Sequence, residues 1–242
     1  MRTLIYQNNI GNMTQWGVND ITKKFINEIC IPSVKKYANK YEYDYKINTE
    51  NICPNYGSNF LLSEGTFIAC NKYFYCDYDN YDQIVYIDND VYIFEGAEEL
   101  PEIYDLCGIS EPKESECHKK FSKFFKINQN IKYVNSGVLM FNQNIGKKLK
   151  QYFVKRFSEK RKGKWKNTDN GILNESIYVD KQMKINFLNK KWNYMPHICN
   201  KIDDTKPNFL HFVGGPGKTY IKYLYDQSSN VKIFLEKLYW PN

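Results

Sequence analysis

The sequence predicts an α/β fold with a central mixed, mostly parallel sheet flanked by helices. Three observations predict it. Short runs rich in β-branched and aromatic residues recur along the 242-residue chain, bounded by turn residues. Longer stretches with apolar residues at helical spacing lie between them. One strand-like run, Gln83–Ile87, ends in Asp88-Asn89-Asp90 before an apolar run resumes at Val91. The carboxyl ends of strands are where open α/β sheets place their ligands.

Composition sets the outer bounds. Hydrophobic residues make up 42% and charged residues 25%, which suits a soluble globular protein with a sizeable core. Aromatics reach 17%, with 21 Tyr, a supply of stacking platforms for sugars or bases. The net charge of +7 favours anionic ligands without choosing among them. No zinc-finger spacing or basic tail supports a nucleic-acid module. The seven Cys form no Cys-x-x-Cys pair, and several lie among apolar residues as free thiols of a reducing compartment. The first residues lack the apolar core of a signal peptide, and no run is long enough to span a membrane. The expected location is cytoplasmic.

Taken in order, Thr3-Leu4-Ile5-Tyr6 reads as a first strand and residues 7–12 as a polar loop. The first strand-to-loop turn is a usual nucleotide-base site. Tyr6 is placed either to stack on a base or to pack in the core. Phe25, Ile29, Val34 and Tyr37 give residues 21–41 a helical stripe, with Asp20 or Thr22 as N-cap and a break or kink at Pro32. Residues 43–47 alternate as a second strand, 54–58 form a loop, and 63–75 a helix that includes Lys72.

After the Asp-Asn-Asp strand, residues 106–109 read as a short strand and 111–130 as a long, basic surface excursion. Residues 133–141 are a strand interrupted by Asn135-Ser136-Gly137, and Gly within a strand marks a close approach by a ligand or another part of the chain. Residues 145–162 read as a basic amphipathic helix. The charge run 155–166 reads as a solvated face or as a surface for an acidic acceptor or membrane. A further helix starts at Asp169, residues 185–188 are a strand, and 192–196 are extended. Residues 209–213 form a last strand running into Gly214-Gly215-Pro216-Gly217-Lys218, a loop whose amides and Lys suit a pyrophosphate. Residues 231–239 close the chain as a helix. No repeat and no Pro/Gly/Ser linker occurs, so residues 1–242 are read as one domain.

Asp88 and Asp90 are hard oxygen ligands one residue apart, suited to Mg²⁺ or Mn²⁺ holding a phosphate. The alternative is an ordinary Asx-rich turn. Three further pieces follow in order: Asn135-Ser136-Gly137, Asp169-Asn170-Gly171-Ile172-Leu173-Asn174, and His211-Phe212-Val213-Gly214 with Lys218. Together the four resemble the family 8 glycosyltransferases, the group of glycogenin and the bacterial lipopolysaccharide galactosyl- and glucosyltransferases.

The resemblance covers the chain from the first strand to about Tyr220, and it implies a GT-A (Rossmann-like) fold. It implies that Asp88, Asp90 and His211 hold Mn²⁺ (or Mg²⁺), and that Asn89 touches the donor ribose. By the same resemblance Lys72 contacts donor phosphate or sugar, and Asn135, Ser136 and Gly137 line the donor sugar. Asp169 and Asn170 would lie beside the anomeric carbon and the acceptor. The family has Gln where this chain has Asn170. Gly214 and Lys218 match the loop that grips the diphosphate, with one extra residue before Lys218 and Thr219-Tyr220 in place of Pro-Trp.

The implied activity is transfer of a hexose-type sugar from a nucleoside diphosphate sugar, a UDP-sugar by resemblance, with retention. The acceptor would be a hydroxyl of a glycan, a lipid-linked sugar or a protein. Two rival readings are a sugar nucleotidyltransferase and a non-catalytic binding module. The first usually carries a Gly-rich basic signature near its N-terminus, which residues 7–12 lack. The second is opposed by the intact Asp88, Asp90, His211 and Lys218.

Overall fold

The computed structural model describes residues 1–10, 19–53, 64–113, 115–158, 169–198 and 204–240. The expected loop at 54–58, the helix start at Ser63, Cys199 and the charge run from 159 to 166 lie outside the described residues, as do residues 11 and 12 of the first loop.

Six strands form the main sheet. They are β1 (Thr3–Asn8), β2 (Asp44–Asn48), β3 (Gln83–Ile87), β5 (Cys107–Ser110), β6 (Val134–Phe141) and β7 (Asn186–Phe187), in the spatial order β2-β1-β3-β6-β5-β7. Three of the five neighbouring pairs are parallel, and β6 runs antiparallel to both β3 and β5. A separate two-stranded ribbon pairs β4 (Val91–Ile93) with β8 (Phe209–His211), Val91 opposite His211.

The strands alternate in side-chain direction although both faces are buried. Leu4, Tyr6, Ile84, Tyr86, Leu139 and Phe141 pack on one face. That face is covered by α3 (Glu64–Phe74), α5 (Gln143–Ser158) and α6 (Asp169–Tyr178). Ile5, Val85, Ile87, Val138 and Met140 pack on the other, against the Ile31–Lys40 helix (α2) and the ribbon. The period of two sorts each residue to its layer, and burying each large side chain is worth roughly 2–3 kcal/mol. A third cluster joins the ribbon, through Tyr92 and Phe94, to α7 (Gly214–Gln227) and α8 (Val231–Tyr239).

Several expectations need correction. The first helix is capped by Asn19, whose Oδ1 accepts from Thr22 N at 2.8 Å, rather than by Asp20 or Thr22. Pro32 does not break it. A π-helical turn, Ile26–Cys30, links α1 (Asp20–Phe25) to α2, and Ile31 N–H reaches back to the Ile26 carbonyl. The wider turn accommodates a proline ring that would crowd an α-helical carbonyl. β1 runs on to Asn8, so Gln7 and Asn8 are strand rather than loop.

The surface excursion contains a helix, α4 (Glu116–Phe125), capped by Ser115 and burying Phe121. The segment around Trp192 is not extended throughout; it holds two 3₁₀ turns, Lys190–Trp192 and Pro196–Ile198, flanking a bridge from Tyr194 to Leu210. Of the described cysteines, five are buried thiols, Cys117 is exposed, and all are free. Among the described residues no helix is long and apolar enough to cross a membrane.

Candidate active site

β3 delivers the first two acidic groups. Its five residues are all buried, and the chain emerges at Asp88, whose N–H bonds to the Gly137 carbonyl at 2.7 Å. A turn closed by Val91 N to Asp88 O sends the chain into β4. Phe212 N–H bonds to the Asp90 carbonyl at 3.1 Å, so the ribbon fixes Asp90 beside the end of β8. His211 therefore faces both carboxylates. Its Nε2 lies 3.2 Å from Asp90 Oδ1 and 3.6 Å from Asp88 Oδ2. One ligand atom from each of the three residues lies within 4.8 Å of the others. Two hard oxygens and one imidazole converging from two strands form a donor set that fits Mn²⁺ or Mg²⁺.

A buried cation stands behind this group. Lys72, on the last turn of α3, is 1% exposed. Its Nζ lies 3.0 Å from Asp169 Oδ2 and 3.1 Å from Asp88 Oδ1, and 4.6 Å above the Tyr86 ring. Burial pushes the ammonium pKa down, but Asp169 and Asp88 outweigh it and leave the group above its usual value. Burial likewise pushes Asp169 up, and Lys72 with the Ser136 hydroxyl outweighs that, holding it below the carboxylate range. Tyr86 donates to Asp88 Oδ1 at 2.5 Å.

α6 places Asp169 and Asn170 at its N-terminus. It is docked on β6 by Asn174, whose amide exchanges two 2.8 Å bonds with the Val134 backbone. Ser136 N–H donates to Asn170 Oδ1 at 2.8 Å, and Ser136 Oγ lies 2.7 Å from Asp169 Oδ2. The β5–β6 register shifts between Gly108 and Ile109, which sit opposite Leu139 and Asn135. The shift leaves Ser136, Gly137 and Val138 without a partner residue in the β5 register, while Asn135 stays paired with Ile109.

These groups line a cavity of about 280 Å³. Asp88, Asn89, Asp90, Asn135, Asp169, Asn170, His211 and Lys72 supply its polar lining, and Gly214 and Lys218 line it as well. Ile10, Ile26, Ile68 and Ile221 form an apolar wall.

A family model for glycosyl transferase family 8 matches residues 33–219. The chain belongs to that family. A family 8 enzyme is a glycosyltransferase, which sets aside the nucleotidyltransferase and non-catalytic readings. Family members use a nucleotide-sugar donor and a glycan acceptor. No curated protein sequence matches this family 8 chain. Two solved structures show its GT-A fold. One is the galactosyltransferase LgtC in complex with donor and acceptor sugar analogs, with TM-score 0.56 and 12% identity, covering 94% of this chain and 96% of that one. The other is a glycosyltransferase involved in glycosylation of the major capsid of PBCV-1, with TM-score 0.55 and 8% identity, covering 92% and 100%.

Within this family 8 chain, not every expected residue reaches the cavity. Tyr6 is 1% exposed, donates to the Lys72 carbonyl at 2.8 Å and packs on Tyr78 and Tyr86. It is a core residue with no face free for a base. Ser136 lies behind the wall, among Lys72, Asp169 and Asn170. Gly137 does not line the cavity, and a Cβ there would lie 2.0 Å from His211 Cε1, so its bare Cα makes room for that ring.

The expected Gly214–Lys218 loop is the first turn of α7. Its backbone amides belong to a helix N-terminus, which suits an anion equally well. Gly214, at φ 58°, makes the left-handed turn into that helix. Burial pushes the Lys218 ammonium down, with Asp90 opposing.

Two residues of the site carried no sequence signal. Glu111, 4% exposed, accepts from Asn135 Nδ2 at 3.0 Å and Asn170 Nδ2 at 3.3 Å. Its pKa is pushed up by burial, against hydrogen bonds from Ser115 and Asn135. Asn193, fully buried, accepts at Oδ1 against His211 Nδ1, 2.8 Å away.

Proposed function

We propose that this protein transfers a hexose-type sugar from a nucleoside diphosphate sugar, a UDP-sugar, to a hydroxyl of a glycan or other acceptor, with retention. The observation that carries the reading is the convergence of Asp88, Asp90 and His211 with Lys72, Asp169 and Lys218 around one cavity. Asp88, Asp90 and His211 would hold Mn²⁺ or Mg²⁺. Bound there, the ion would neutralise charge on the diphosphate as it leaves.

The protein's own groups supply the rest. Gly214 and Lys218, in the first turn of α7, line the cavity, and that helix start with its Lys suits the diphosphate. The apolar wall of Ile10, Ile26 and Ile221 suits the flat base, and Asn89 the ribose. Asn135, Asp169 and Asn170 would orient the sugar and acceptor. In the transfer, the acceptor oxygen bonds to the anomeric carbon as the bond to the diphosphate oxygen breaks, and the hydroxyl proton passes to the departing diphosphate. Asp169 Oδ2 is held by an ammonium at 3.0 Å and a hydroxyl at 2.7 Å, which makes it a poor nucleophile. That favours same-face substitution over a double displacement through Asp169.

The test is a panel of nucleoside diphosphates and their hexoses, with and without Mn²⁺, read by thermal shift and by turnover. At a hundredfold excess over Kd, a ligand adds about 2.7 kcal/mol, a rise of several degrees for a chain this size. A Mn²⁺-dependent shift with uridine compounds, and nucleotide release that needs the metal, is the expected result. Absence of any shift in folded protein would overturn the reading.

A further inference from the structure

One side of His211 faces the acidic pair and the other faces a line of buried amides. His211 Nδ1 lies 2.8 Å from Asn193 Oδ1. Asn193 Nδ2 donates to Asn135 Oδ1 at 3.0 Å. Asn135 Oδ1 also accepts the Gly137 N–H at 2.9 Å, and Asn135 Nδ2 donates to Glu111 Oε1 at 3.0 Å. Glu111 Oε2 in turn accepts from the Ser115 hydroxyl.

An amide can be reversed only if its neighbours tolerate the exchange of donor and acceptor. Asn135 cannot reverse, because a backbone N–H, which only donates, fixes its oxygen, and Glu111 Oε1 fixes its nitrogen. Asn193 then cannot reverse either, since two oxygens would meet at Asn135. All four side chains are 4% exposed or less, so no bulk water compensates a wrong orientation. The bridge from Tyr194 to β8, with His211 N–H on the Tyr194 carbonyl at 2.9 Å, holds Asn193 at this height beside the ring.

We propose that Glu111, through Asn135 and Asn193, holds a proton on His211 Nδ1 and leaves Nε2 as the ring nitrogen that faces a cation between Asp88 and Asp90. Asp88 and Asp90 compete for a proton at Nε2. They do so from 3.6 and 3.2 Å on side chains about a quarter exposed, whereas the Nδ1 contact is shorter and dry. Asn193, Asn135 and Glu111 are thus positioning residues. Their placement of the Nδ1 proton stands on geometry alone; the use made of it rests on the metal reading above.

The chain has three His, so ring nitrogens can be resolved in full-length protein carrying ¹⁵N-histidine. The ring nitrogens of the other two, His118 and His197, have no hydrogen-bond partner among the described residues. The expected result is one slowly exchanging Nδ1–H, assigned to His211 by its loss in H211N. It should become fast-exchanging or vanish in Asn193→Leu. A bare Nδ1 on His211 in the parent between about pH 6 and 9 would overturn the proposal without any variant. Mn²⁺ affinity, read by the spin-resonance signal of the free ion, should fall roughly 10- to 100-fold in Asn193→Leu. An Nδ1–H with no Mn²⁺ affinity in the parent supports the relay and sinks the metal reading. A bare Nδ1 with Mn²⁺ bound does the reverse.

Discussion

The imidazole of His211 rests on the bare Cα of Gly137, where a Cβ would lie 2.0 Å from Cε1 and 2.6 Å from Nδ1. A glycine in the middle of a buried strand is costly in chain entropy. Here it makes room for a ring from another sheet. Gly137→Ala should push His211 off the acidic pair and overpack the core by about 1–3 kcal/mol. The check is Mn²⁺ affinity alongside melting temperature. Parental values for both would show that the contact can relax.

Asp90→Asn and His211→Ala should each lower sugar transfer more than about 100-fold, since each removes a ligand of the proposed ion. Chelator should stop the parent enzyme, and added Mn²⁺ should restore it. Activity that persists in chelator would sink the metal assignment while leaving the family assignment intact.

Lys72→Met should destabilise the fold by about 3–5 kcal/mol, because it strands Asp169 and Asp88 without their cation. In the parent, Asp169 lies below its unfolded value, so its contribution is present above about pH 4 and is lost as pH falls through the folded value. Lys72 lies above its unfolded value, so its contribution is present below about pH 10 and is lost as pH rises beyond the folded value. Parental stability should be flat with respect to this pair in between. Without Lys72, burial acts on Asp169 against only the hydrogen bonds from Ser136 and the Asn170 backbone and raises it, so the variant should lose melting temperature as pH rises from 4. Equal pH profiles for both proteins would refute the coupling.

His197 is buried beside Phe212 and Tyr220, and burial, with His211 adding to it, pulls its pKa down to about 4 against the pull of Asp90. The unfolded chain takes up a proton near pH 6.5 that the folded chain refuses until about 4. Stability is therefore full above 6.5 and falls on the way down, by roughly 3 kcal/mol over the interval. His197→Phe should flatten much of this acid slope in thermal denaturation. His118, also pushed down by burial, adds a smaller slope of the same sign. An unchanged slope in the variant would assign it elsewhere.

Much of this was legible in the sequence where local chemistry and tertiary role coincide. Gln83–Ile87 had to be a strand on composition alone, and two carboxylates at its end had to meet a ligand or a turn. Helix α4 went unread because its polar, Lys-rich stretch hides one buried face at Phe121 behind a Ser115 cap. Gly214-Gly215-Pro216-Gly217 reads as a loop, yet proline in a first turn also suits a helix start, and α7 begins there. Tyr6 stood at a sheet position that serves ligands in other α/β proteins; its neighbours Tyr78 and Tyr86 decided for the core. Glu111 and Asn193 were beyond reach, since the contacts that tie them to the site run to Asn135, Asn170 and His211, at least 18 residues away along the chain.

The π turn at Ile26–Cys30 sets the rotational phase of α1 relative to α2. Thr22 and Ile26 reach the cavity wall only in that phase. Deleting a single residue within the turn would restore plain α-helix and rotate α1 by about 100°, swinging Thr22 toward solvent while every strand kept its place. Indels in this stretch would therefore rewrite the apolar wall through length rather than substitution, without touching the acidic centre.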